Sequence, residues 1–118
     1  LKKTETIKKL HQKIRYVIPE LKELKTDFMI KMIGTSMYPK YNNDDTLGCI
    51  VISTDSYIEW NRVYVIETPQ RVIIKRLQKS KKDTHVLCVS DNKNYEAFEI
   101  ARSSIKLLAM VIGVIHIE

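Results

Sequence analysis

A chain of 118 residues that is 44% hydrophobic and 29% charged, with three glycines and three prolines, can bury a single core without disulfide or metal staples. The longest uncharged apolar run, Leu107 to Ile115, falls far short of the roughly 20 residues of a membrane helix, and charges stand where a signal peptide would be apolar. A cytoplasmic chain with no membrane partner is therefore expected, and because residues 1–25 hold eight Lys/Arg against three Glu while the rest holds twelve against eleven Asp/Glu, the net charge of +6 does not mark the folded part as a nucleic-acid binder.

In chain order, Ile7, Leu10, Ile14 and Val17 recur at helical spacing, which predicts a short helix between Thr4 and Val17 that Pro19 ends. Residues 1–25 are read as a basic linker, and residues 26–118 as the folded domain. From Asp27 the texture changes to β-rich runs: "FMIKMI", "LGCIVIS", "RVYVIET", "RVIIKRL", "HVLCVS" and "KLLAMVIGVIHI". The breaks between them, such as "GTSMYPKYNNDD" and "DNKNYEAFE", are rich in turn formers, and "ETPQRV" predicts a tight hairpin joining two of the runs. Six or seven strands with no helical crossover long enough for a parallel unit predict a mainly β, antiparallel fold. Cys49 and Cys88 sit in apolar contexts and read as buried free thiols, no zinc spacing exists, and no cofactor is expected.

Within "VIIKRL", Lys75 shares a strand face with Ile73 and Leu77, while Arg76 takes the other face with Val72 and Ile74. Neither face is polar, so the strand is expected to be covered on both sides and Lys75 to be partly desolvated, which lowers a lysine's pKa. In "GTSMYP", Gly34 permits a tight backbone, Pro39 fixes the exit, and Ser36 is presented in the turn. A serine hydroxyl becomes a nucleophile only beside a base, and a neutral lysine can be that base. Spacing alone does not bring Ser36 and Lys75 together, and a turn serine is more often only a turn former.

"GTSMYP", "NNDDTLGCIVI", "WNRVYVIETPQRVIIKRL", "VLCVSDN" and "AMVIGVI", in that order over residues 27–117, resemble the C-terminal domain of LexA and phage-type repressors. The resemblance implies a LexA/signal-peptidase-like β fold, Ser36 as nucleophile and Lys75 as general base, with Gly34, Thr35 and Met37 supporting the turn and its oxyanion hole. It further implies a homodimer, operator DNA bound through a helix-turn-helix domain outside this chain, and the chain's own linker as peptide substrate. The sequence begins at Leu1 without an initiator Met, so it is read as a fragment lacking that domain.

Departures from the family pattern are specific. No Ala-Gly or Cys-Gly dipeptide, the family's self-cleavage bond, occurs in residues 1–35. Asp44 stands for the glycine of a Gly-Asp strand start, Asn61-Arg62 replaces a second Gly-Asp, and Ile73 occupies a position that is threonine in some relatives, leaving Lys75 with less polar support. The competing readings are a non-catalytic dimerisation or signal-binding module and a signal-peptidase-like enzyme, which would normally bring a membrane anchor. Trp60 reads as a loop anchor, His85 and His116 as bystanders with no carboxylate beside them in sequence, and Asp91 and Asn92 as turn residues bonding nearby backbone.

Overall fold

The structure, a computed structural model, describes residues 25–53 and 57–116. The helix expected between Thr4 and Val17, and the basic segment up to residue 24, lie outside the described residues. Seven strands follow: β1 (Phe28–Lys31), β2 (Thr46–Ile52), β3 (Arg62–Glu67), β4 (Val72–Lys79), β5 (His85–Val89), β6 (Phe98–Ala101) and β7 (Leu107–Ile115), with one 3-10 turn at Arg102–Ser104. They form one sheet in the order β1-β2-β7-β3-β4-β5-β6, and all neighbours are antiparallel, as the sequence pattern predicts.

The sheet is covered on both faces, and strand parity decides which residue joins which core. On one side Val63 and Val65 of β3, Leu107, Ala109 and Val111 of β7, and Leu47 and Cys49 of β2 pack with Phe28, Met37 and Tyr41. On the other, Tyr64 and Ile66, Leu108 and Met110, and Ile73 and Leu77 pack with Ile58, Val86, Cys88 and Ile105. In β4, Val72 and Ile74 serve the first core and Ile73 and Leu77 the second, so both faces are covered, as the absence of a polar face predicts. Val63 to Ile66 of β3 are all buried, each side chain contributing about 1.5–3 kcal/mol on leaving water.

The hairpin expected at "ETPQRV" is present. β3 and β4 pair from Arg62–Leu77 to Glu67–Val72, and the Thr68 amide donates to the Arg71 carbonyl at 2.9 Å to close the turn. Both cysteines are buried free thiols, as expected. Trp60 is half-buried against the second core with the Arg102 guanidinium 6.0 Å from its ring, the anchor its sequence suggests. The two positions that depart from glycine, Asp44 and Asn61, both have left-handed backbones, with φ of 73° and 67°. Asn and Asp enter that region more readily than other non-glycine residues, which explains how the chain keeps both turns without glycine.

β6 begins at the end of the stretch read as a break, "DNKNYEAFE", and runs two residues beyond it. Phe98 and Ile100 are half-buried and Glu99 exposed, an alternation of three residues that is too short to stand out in sequence. "FMIKMI" forms a strand only as far as Lys31, because Met32 leaves the ladder to exchange backbone bonds with Asp44 and Asp45 at 2.7 and 2.8 Å.

Candidate active site

The serine turn is built between β1 and β2. Gly34 has φ of 89°, and a side chain there would meet nothing within 4 Å, so the glycine is required by backbone conformation rather than by space. Its amide donates to Asn43 Oδ1 at 2.7 Å. The Tyr38 amide donates to the Thr35 carbonyl at 3.1 Å and the Tyr41 amide to the Met37 carbonyl at 2.9 Å, winding residues 35–41 into a compact turn that includes the cis Tyr38–Pro39 peptide. Met37 is wholly buried and pins this turn to the first core, while Ser36 beside it stays partly exposed. The Gly34 amide is therefore engaged, whereas the Ser36 and Met37 amides donate to no acceptor among the described residues.

Lys75 lies on β4 opposite Tyr64 of β3. Its ammonium is half-buried and donates to Ser90 Oγ at 2.9 Å, with the Tyr95 ring centroid 5.6 Å away. No carboxylate pairs with it among the described residues. Burial pushes its pKa below the ordinary lysine value and the nearby Arg71 charge lowers it further, the Cys88 thiol acting weakly the other way. Ser36 and Lys75 line one cavity of about 430 Å³, with Ile30 to Ile33 on one wall and Val72 to Ile74 on the other. The two side chains are not hydrogen-bonded to each other; the hydroxyl that Lys75 Nζ bonds is that of Ser90.

Ser90 is the residue the sequence reading misses. Arg76 pairs with Val89, and continuing that antiparallel register sets Lys75 opposite Ser90. The signal was present in "VIIKRL" and "HVLCVS", but the break at "KSKKD", of which residues 80–84 form the connection, left the register undetermined. Ser90 also corrects the inference from Ile73, since Lys75 draws its polar support from across the ladder instead of from its own strand.

Asp91 departs from its expected turn role. Its carboxylate accepts from Arg76 Nε and Nη2, both at 2.8 Å, in a two-pronged pair that holds the guanidinium above its ordinary pKa. Asn92 does bond nearby backbone, accepting from the Asn94 amide at 3.0 Å, and its Nδ2 also donates to the Thr35 carbonyl at 2.9 Å. The His85 ring Nδ1 lies 2.8 Å from Oγ1 of its neighbour Thr84. His116, with no carboxylate beside it in sequence, lies 2.5 Å from Asp45 Oδ1, whose partner oxygen accepts from the Asn42 amide. That pair is outside the lining of the Ser36 cavity.

A turn serine and a desolvated lysine lining one cavity are the residue types that an activated hydroxyl nucleophile and its base require. The family model described as Peptidase S24-like matches residues 2–112, and the chain belongs to that family, the one that contains the LexA and phage-repressor C-terminal domains. Membership suggests serine peptidase activity in general. No curated protein matches the chain. No helix among the described residues is long and apolar enough to cross a membrane.

Proposed function

We propose that this domain is a serine endopeptidase with a Ser36–Lys75 dyad that cuts a linker of its own parent chain. In this reading it is the regulatory and dimerisation domain of a phage-type repressor whose helix-turn-helix domain lies outside this chain, beyond the basic linker of residues 1–25. The observation that carries the reading is the shared cavity: Ser36 and Lys75 line it together, and the lysine is desolvated without a carboxylate to hold its proton.

In the neutral state Lys75 Nζ takes the Ser36 Oγ proton as that oxygen bonds the scissile carbonyl carbon. The unengaged Ser36 and Met37 amides are the donors for the resulting oxyanion. The ammonium then protonates the leaving amine, an ester to Ser36 remains, and water, deprotonated by Lys75, hydrolyses it. Half-buried Ile112 and Ile115 and the exposed Val114 support the dimer reading, because beyond Met110 the β3 side of β7 has no strand partner among the described residues.

Self-cleavage of the parent protein at alkaline pH tests this. Ser36→Ala and Lys75→Ala should each abolish it with the fold intact, and the wild-type rate should climb as pH rises through the lowered lysine pKa. The second reading, a non-catalytic dimerisation or signal-binding module, is favoured by the missing Ala-Gly or Cys-Gly bond in residues 1–35. Cleavage that persists in Ser36→Ala would leave that reading standing.

A further inference from the structure

The loop after β5 touches both halves of the site. At its start Ser90 accepts from Lys75, and Asp91 fastens the loop to β4 through Arg76. Two residues later the Asn92 amide donates to the Ser36 carbonyl at 3.0 Å while Asn92 Nδ2 donates to the Thr35 carbonyl at 2.9 Å. Tyr95 closes the arrangement: its hydroxyl lies 3.1 Å from Thr35 Oγ1, and its ring faces the Lys75 ammonium. Internal bonds from the Asn94 amide to Asn92 Oδ1 and from the Tyr95 amide to the Asn92 carbonyl fix the loop's own shape.

We propose that Asn92 and Tyr95 are positioning residues that latch the Ser36 turn to the Lys75 strand, an inference that rests on the Ser–Lys reading above. The Thr35 and Ser36 carbonyls both accept from Asn92, so the peptide unit leading into the nucleophile cannot rotate without breaking a bond to the loop. Gly34 is bonded to Asn43 and Met37 is buried in the core, so the turn is secured on either side. The latch fixes the orientation that those anchors leave free, and it does so from the segment that also holds the lysine. A misplacement of about 1 Å between reacting atoms costs up to about 100-fold in rate, so a bond at this position acts on the rate rather than on probe binding.

The test is phosphorylation of Ser36 by diisopropyl fluorophosphate on the full 118-residue chain. The Ser36 Oγ–phosphorus bond forms, fluoride leaves with the phosphorus–fluorine electron pair, and the serine proton passes to Lys75. Intact-mass measurements give the maximal rate and the half-saturating probe concentration as functions of pH. Tyr95→Phe, which removes one hydroxyl, and Asn92→Ala should each lower the maximal rate by about tenfold, with half-saturation and the Asn92→Ala pH midpoint unchanged. A labelled wild type with both variants at the wild-type rate overturns the latch and leaves the dyad standing. A wild type that takes no label at Ser36 overturns both. Rates that fall only in step with a lowered unfolding temperature, and recover on cooling, also overturn the latch, since the loop would then serve stability alone.

Discussion

Lys75 donates to a hydroxyl where a carboxylate would have held its proton firmly, and that choice of partner sets its titration. Its folded pKa lies below the reference 10.5, so the unfolded chain binds the proton more tightly. The resulting penalty is fully present below the folded pKa, shrinks as pH rises, and is gone above 10.5. The stability of the wild type relative to Lys75→Met should therefore increase with pH across that window, measured by urea unfolding at matched ionic strength, and a flat difference would contradict the desolvation. Asp44 offers a second residue-level test. Asp44→Gly removes left-handed strain but frees the unfolded chain, so stability should change by less than about 0.5 kcal/mol, whereas Asp44→Val should cost about 1–2 kcal/mol. Individual residue chemistry was legible in the sequence: the desolvated lysine, the buried thiols and the left-handed turn at Gly34 all follow from residue type and immediate neighbours. Partners distant in sequence were not, as His116 and Asp45 show, since only the folded sheet brings residues 71 apart into contact.

At the scale of elements, the β4–β5 pair decides the site's geometry, and Arg76–Asp91 is the clasp at its end. Both side chains are largely withdrawn from water, with 22% and 16% of their surfaces exposed. Asp91→Ala leaves the guanidinium without its charged partner and should cost about 2 kcal/mol in denaturant unfolding, with an unchanged dependence on denaturant. A change within about 0.5 kcal/mol would mean that water replaces the carboxylate at no cost. The strands themselves were readable because β-branched runs alternate with turn formers, and the β3–β4 register was readable because a four-residue turn leaves one pairing. The β4–β5 register was not, because its longer lysine-rich connection permits several. Slipping that register by one residue would remove Ser90 from Lys75 and turn Val86 and Cys88 of β5 out of the second core.

For the whole molecule, the two cores lie on opposite faces of one sheet, and β7 is a strand that feeds both. It pairs with β2 from Thr46–Ile115 to Ile52–Leu108, and with β3 from Tyr64–Met110 to Glu67–Leu107. A chain ending at Lys106 loses Leu107, Ala109 and Val111 from one core and Leu108 and Met110 from the other. It should show no cooperative thermal transition and a flat near-ultraviolet circular dichroism spectrum, and a sharp transition would show that the two halves stand alone. The same arrangement bears on biosynthesis. Of the seven strands, the one that leaves the ribosome last occupies an interior place, so β1–β2 and β3–β6 must wait as separate pieces with bare edges facing each other. Ser36 then emerges in one piece and Lys75 in the other, so the cavity they line together is completed only when β7 joins the two pieces, after synthesis has passed Leu107.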